Sequence, residues 1–308
     1  MKCVFGVDGG GTSSRLRIEA LDGGQLFYAE AGSTNPNSNT AAAIRGTLAD
    51  LFLRAREEAG VEVGDLAAGF VGSAGVDREA DREAFSAILR EATGFAGILG
   101  VGNDAEPALA GALGDTEGLL LIAGTGSIAF GRARDGSTVR SGGWGHLLGD
   151  EGSAWRIAFD AICRGLRSSE GRDLESGLLA AALAYFGLAK AEDFIPFVYG
   201  GIDKKRVAGF ARVVGEFRDR GDPLALDLFD KAAHELAELV ESVYRRIASR
   251  LERRRLAFRG GLVESDLRLS RSLSAHIASK IPELELVPAA ADAARGACIL
   301  ARSLLAAG

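Results

Sequence analysis

Two glycine-rich stretches, each closing an apolar run, are the residues here whose types and spacing could do chemistry. The first is Asp8, Gly9, Gly10, Gly11 and Thr12, after residues 3–7; the second is Gly124, Thr125, Gly126 and Ser127, after residues 118–123. Glycines in a tight turn expose backbone N–H groups, and such a concavity binds phosphate oxygens. Thr12 offers a hydroxyl to the same oxygens. Asp8 stands where it could hold Mg2+ directly or through water, because hard cations take oxygen ligands. The first stretch is not a Walker A loop, since no lysine follows and the next element reads as a strand. Two matched turns predict a clamp that reaches a polyphosphate from both sides. The alternative is a pair of plain turns that need glycine for their backbone geometry.

Asn103, Asp104 and Ala105 end another apolar run. Phosphoryl transfer asks for positioning, charge neutralisation and a group that accepts the proton of the attacking hydroxyl. Asp104 suits that base; the competing reading is that Asp104 or Asn103 caps the helix opening at Ala105. Residues 141–153 carry five glycines within eleven residues, together with Trp144, His146, Asp150 and Glu151. There Gly143, Trp144 and Gly145 would present peptide groups and an aromatic flank to a sugar ring, and Asp150 would accept hydrogen bonds from sugar hydroxyls. The alternatives are a core role for Trp144, an N-cap role for Asp150 and a structural hydrogen bond for His146. Gly260 and Gly261, between Arg259 and Leu262, allow backbone to approach adenine or form a plain turn. Arg245, Arg246, Arg250, Arg253, Arg254 and Arg255 read as one solvated helix face. His234 and His276 stand singly on predicted helices.

The elements that must position these residues follow from hydrophobic period and turn chemistry. Strands are predicted at 3–7, 16–21 and 25–31, with an Asp-Gly turn at Asp22 and Gly23, then a polar loop over 33–39 that contains Asn35. A helix follows with Ile44, Leu48, Leu51 and Phe52 on one stripe and Gly60 as its stop. Next come a strand at 66–72, a helix at 77–93 capped by Asp77 and ended by Gly94, a strand at 98–101 and a short helix to 113. The pattern then recurs: strands at 118–123 and 128–134, an Asp-Gly turn at Asp135 and Gly136, and a third strand to 140. This echo predicts a duplicated βββαβα unit. Helices are expected at 152–168, 174–186, 191–199, 204–220 and 222–253, then a strand at 256–258, a helix at 266–280, a strand at 284–287 and a closing helix at 290–306. The expected division is 1–115 and 116–289, with residues 290–308 packing back on the first domain.

At 308 residues, with 47% hydrophobic and 25% charged residues, two domains around a cleft are the default. A net charge of −6 gives no electrostatic footprint for nucleic acid or an anionic membrane. Cys3, Cys163 and Cys298 lie far apart without a CxxC pair, which argues against zinc or a disulfide framework and for a reducing compartment. No apolar stretch reaches membrane-spanning length, and the first strand begins at residue 3, so a cytoplasmic protein without a leader is expected.

The glycine turns, Asn103-Asp104-Ala105 and the run from Gly143 to Ser153 occur in the order found in the eukaryotic-type N-acetylglucosamine kinases, which are grouped with the BadF/BadG-type ATPases of the actin/hexokinase/Hsp70 superfamily. The chain resembles that family over nearly its whole length. The resemblance implies an α/β fold of two actin-like (ribonuclease H-like) domains and ATP with Mg2+ as cofactors. It implies that Thr12 and Thr125 touch ATP phosphates, that Gly261 lies near the adenosine, and that Asn35, Asp104, Gly145 and Asp150 hold an amino sugar. Asp104 would be the base for attack by the 6-hydroxyl. The animal kinases follow the matching asparagine with a bulky aromatic segment, whereas Pro36, Asn37 and Ser38 follow here. The competing expectation is a partner-driven ATPase that phosphorylates no small molecule. The redox activators of that group hold an iron–sulfur cluster through two cysteines per chain, and here Cys163 alone lies in the middle region. The bacterial repressor/kinase sugar family carries a Cys-rich zinc motif that this chain lacks, and residue 3 leaves no room for a preceding helix-turn-helix. A homodimer through the helix-rich second domain is compatible with the sequence.

Overall fold

The computed structural model describes residues 2–76 and 78–307. Its frame is two five-stranded sheets of the same topology. The first contains β1 (Cys3–Gly9), β2 (Ser13–Ala20), β3 (Gln25–Gly32), β4 (Leu66–Ser73) and β5 (Ile98–Gly102), in the order β3-β2-β1-β4-β5. The second contains β6 (Gly118–Ala123), β7 (Ser127–Arg132), β8 (Thr138–Gly142), β9 (Arg255–Arg259) and β10 (Glu285–Leu286), in the order β10-β9-β6-β7-β8. In each, three antiparallel strands joined by tight turns come first and two parallel strands are added on the other side. The echo in the sequence is therefore a true structural repeat.

The first sheet is crossed by α1 (Ala41–Ala59) and α2 (Glu79–Thr93), and α3 (Ala105–Leu113) follows β5. The stripe of Ile44, Leu48, Leu51 and Phe52 on α1 is buried against Phe5 and Ile18, and Gly60 ends the helix in the left-handed region at φ 66°. Asp77, expected to cap α2, lies outside the described residues. Between β8 and β9 the chain is helical: α4 (Ala154–Ser169), α5 (Leu178–Phe186), α6 (Phe194–Tyr199), α7 (Lys204–Gly209), α8 (Ala211–Asp219) and α9 (Pro223–Ile247). After β9 come α10 (Gly261–Ser265), α11 (Leu267–Lys280), β10 and α12 (Ala293–Ala307).

Two helices tie the sheets together. α12 lays Ala297, Cys298, Leu300 and Ala301 against Val4, Ala68 and Phe70 of the first sheet. α3 sends Ala105, Leu109 and Leu113 toward Leu120, Phe130 and Ala257 of the second. The helices approach so closely that a Cβ on Gly296 would lie 1.9 Å from the Pro107 carbonyl oxygen, so only glycine fits this hinge contact.

Three expectations need correction. The helix expected over 204–220 is broken at Phe210, next to Gly209, whose Cβ would meet the Tyr185 hydroxyl at 2.5 Å. The helix expected to reach 253 ends at Ile247 and passes through a short 3-10 turn, because the Glu117 carboxylate draws in the N–H groups of Glu252 and Arg253. Arg253, Arg254 and Arg255 are therefore off the helix; Arg253 and Arg255 pair with Asp115, and Arg246 and Arg250 bond across to β8 and its turn. His234 and His276, read as single, meet edge to face at 5.6 Å between ring centres.

Candidate active site

Both glycine turns sit at the same place in their sheets, between the first and second strands. In the first, Gly9 is forced by packing: a Cβ there would lie 2.5 Å from Thr34 Oγ1. The Gly10 N–H donates to the Ser13 carbonyl, while Gly11 and Thr12 are exposed. The Asn35 loop folds onto this turn. Ser33 Oγ donates to the Gly10 carbonyl, the Asn35 N–H donates to Ser33 Oγ, and Asn35 Oδ1 accepts from the Asn37 N–H. Asn35 Nδ2 lies 4.0 Å from a Cβ built on Gly11, so Asn35 and the turn share one surface.

Asp8 ends this surface, with its side chain 16% exposed and Arg15 Nη1 3.5 Å from Oδ2. Burial pushes its carboxyl up to about 6; Arg15 pulls it down, and Asp104 and Asp292 push it up. Three carboxylates from β1, the β5–α3 junction and the start of α12 thus converge in one field with a single guanidinium. A carboxyl whose charge is disfavoured this way is suited to a cation, which would offset that cost. Among the described residues no three such side chains could hold a metal alone; Mg2+ held partly by phosphate oxygens fits this donor set.

Asp104 opens α3, but its side chain makes no capping hydrogen bond; Asn103 Oδ1 accepts from the Ala105 N–H at 2.9 Å instead. Of the two capping readings, Asn103 is the cap.

The second turn is built into the loop that follows β8. Gly124 N–H donates to the Gly126 carbonyl, and Ala154 N–H, at the start of α4, donates to the Gly124 carbonyl. Thr125 is exposed, as Thr12 is in its turn. Ser127 N–H donates to Asp150 Oδ1 at 3.2 Å, and Ser127 Oγ donates to the Glu151 carbonyl at 2.6 Å. Asp150 is 3% exposed and is held at φ 60°, a strained conformation for a non-glycine residue. Its Oδ2 accepts from Lys204 Nζ at 2.8 Å. The helix cap is Ser153, not Asp150.

Trp144 is 62% exposed, which removes the core reading, and the Arg140 guanidinium lies 4.7 Å from its ring centre. Gly143 is glycine for packing, since a Cβ would meet Ile128 at 2.7 Å, and its N–H already donates to the Ser127 carbonyl. Gly145, at φ 80°, faces open space. His146 packs edge-on against Trp155 at 5.1 Å.

Gly260, at φ 105°, lies against the end of β6, where a Cβ would fall 2.5 Å from the Ala123 carbonyl oxygen. That contact brings Gly261 beside Gly124, and both line a cavity of about 890 Å3 that also takes in Thr125, Ala208, Gly215 and Ser265. Two residues escaped the sequence reading. Asp292 had only the weak signal of an acid ahead of an alanine run, and it caps α12 by accepting from the Arg295 N–H. Lys204 reaches Asp150 across 54 positions, and nothing local announces it.

The profile of the BadF/BadG/BcrA/BcrD ATPase family matches residues 5–301. The chain belongs to that family. An N-acetylmuramic acid/N-acetylglucosamine kinase of Clostridium acetobutylicum is 34% identical over 304 residues, covering 98% of this chain and 99% of that protein. An N-acetyl-D-glucosamine kinase of Dictyostelium discoideum is 30% identical over 315 residues, covering 96% and 97%. A Chromobacterium violaceum crystal structure, provisionally named an N-acetylglucosamine kinase, superposes with a TM-score of 0.70 at 27% identity, covering 97% of this chain and 99% of that one. The fold of the family member described here is the two-domain, actin-like α/β architecture.

Proposed function

We propose that this protein transfers the γ-phosphoryl group of ATP to the 6-hydroxyl of an amino sugar, N-acetylglucosamine or glucosamine in the first instance, with Asp104 as general base. The observation that carries the reading is the approach of Asp104, at the β5–α3 junction, to Asp8 beside the first glycine turn, where it pushes the Asp8 carboxyl up. The names of the relatives support the same reading.

In this account the adenosine occupies the 890 Å3 cavity beside Gly260 and Gly261. The phosphates run between Gly9, Gly10, Gly11 and Thr12 on one side and Gly124, Thr125, Gly126 and Ser127 on the other. Asp8 would hold Mg2+, with Asp292 adding negative charge nearby, and the ion would neutralise phosphate charge. Asn35, Trp144, Gly145 and Asp150 hold the sugar, with Gly143 shaping the loop rather than bonding. Asp104 takes the proton of the attacking hydroxyl as its oxygen bonds to the γ-phosphorus, and the bond to the bridging oxygen breaks to release ADP. Residues 1–115 and 116–289 act as the two closing domains, with 290–308 crossing back, and closure excludes water that would otherwise hydrolyse ATP. Such a reaction belongs in the cytoplasm, where ATP is available; no helix among the described residues is long and apolar enough to cross a membrane.

The test is Asp104→Asn. It should bind nucleotide as the parent does and lose about 10²- to 10⁴-fold in kcat, the usual share of a positioned base. Near-parental turnover would remove Asp104 from the role.

A further inference from the structure

Asp150 and the large cavity meet through one short helix. Lys204 begins α7, and its ammonium group reaches Asp150 Oδ2 at 2.8 Å. Lys205, Ala208 and Gly209 of the same helix line the 890 Å3 cavity together with Gly124 and Thr125. The other oxygen of the same carboxylate, Oδ1, accepts from the Ser127 N–H at 3.2 Å, at the end of the second glycine turn. That turn lies so close that a Cβ on Gly126 would fall 2.6 Å from Oδ1. One buried carboxylate thus holds two walls of the cavity, α7 and the turn.

Other contacts seat the far end of this link. Asp203 caps α7 by accepting from the Lys205 and Arg206 N–H groups. Arg206 Nη2 donates to the Phe186 carbonyl at 2.9 Å, and its guanidinium lies 5.7 Å from the ring centres of both Phe186 and Phe197. These contacts anchor α7 to α5 and α6, and Lys204 ties it to Asp150. Gly200 and Gly201, the latter at φ 112°, lead into the helix, so the entering chain lends it little stiffness. Asp150 depends on the pair in its turn. It is 3% exposed and strained at φ 60°, and a buried carboxylate without a counter-charge is costly. Each carboxylate oxygen accepts more than one hydrogen bond, so Ser127 and Lys204 leave acceptor capacity on both for sugar hydroxyls.

We propose that Lys204 is a positioning residue that couples the two substrates. Sugar bound on Asp150 steadies α7 and the second glycine turn, which are walls of the nucleotide cavity; nucleotide in the cavity steadies Asp150 in return. Coupling of this kind is reciprocal, so each ligand tightens the other by the same factor. This inference rests on the kinase reading above, since it takes Asp150 as a sugar ligand and the cavity as the nucleotide's.

The experiment is calorimetric titration of the full chain with Mg2+ and a non-hydrolysable β,γ-imido analogue of ATP, with and without saturating N-acetylglucosamine. The same preparations, given ATP, are assayed for sugar phosphate. In the parent the sugar should tighten the analogue by about 5-fold or more, the usual lower range of coupling between sites. In Lys204→Met most of that factor should be lost. A merely structural loss would weaken the analogue equally with and without sugar and leave the factor as it was. Lys204→Arg keeps a cation on Asp150 and changes its geometry, so its factor should lie between the two. No coupling in the parent, a parental factor in Lys204→Met, or a factor in Lys204→Arg no higher than in Lys204→Met overturns the proposal while leaving the kinase intact. A parent that phosphorylates no hexosamine overturns the kinase reading, and the coupling with it.

Discussion

Asp8→Asn separates what Asp8 does for the fold from what it does for the reaction. The Asp8 carboxyl is raised from an ordinary 3.8 to about 6, chiefly by burial, with Asp104 and Asp292 adding to it and Arg15 opposing. Since the folded value lies above the unfolded one, the folded protein holds the proton more tightly. Ionising Asp8 therefore costs stability: nothing below about pH 4, a growing penalty as pH rises, and the full penalty above about pH 6. The gap between the two values corresponds to about 3 kcal/mol, at roughly 1.4 kcal/mol per tenfold change in affinity. Asparagine keeps the shape and removes the charge, and Arg15 retains Glu30 at 3.3 Å. The nucleotide-free variant should thus melt a few degrees above the parent at pH 8 and level with it at pH 4, as read by scanning calorimetry. The order should invert when Mg2+ and ATP are added, because the parent's carboxylate would hold the cation and the variant's neutral amide would not. Its turnover should be lost with the metal. A variant less stable than the parent at pH 8 without nucleotide would refute the reasoning, for it would make Asp8 a paired structural acid.

Other perturbations read neighbouring parts of the site. Gly260→Ala must place a Cβ 2.5 Å from the Ala123 carbonyl oxygen at φ 105°, so it should cost about 1–3 kcal/mol and weaken nucleotide binding in a fluorescence titration. Lys204→Met removes the cation from Asp150, which is 3% exposed, and keeps the Ser127 N–H; denaturant melts should show a loss of about 1–2 kcal/mol, below the range for a fully buried pair because Lys204 is one-third exposed. Trp144→Ala should raise KM for the sugar by about 2- to 10-fold and leave KM for ATP alone, given the modest energy of an exposed aromatic contact.

The parts of the site legible in the sequence were those carried by local chemistry. A run of glycines beside an acid demands a turn, and both turns formed where the residues required them, as did the repeated strand order. Roles that depend on which neighbour arrives from elsewhere were not legible. Asn103 and Asp104 are equally good caps on paper; only the backbone direction at Ala105 decides between them. Trp144 has the composition of a core residue, and its exposure follows from the loop being held by its glycines and by Asp150. The length of α9 was misread because Glu117, far away in the chain, captures the N–H groups that would have continued the helix. The Lys204–Asp150 pair joins elements 54 positions apart and leaves no local trace.

The central claim is tested most directly by incubating the protein with Mg2+, ATP and N-acetylglucosamine and following ADP release alongside the mass and 31P spectrum of the sugar. The account predicts sugar-dependent ADP release matched one for one by a 6-phosphorylated product, both lost in Asp104→Asn. ADP release that ignores every hexosamine offered, with no sugar phosphate formed, would contradict it and leave a partner-driven ATPase in its place.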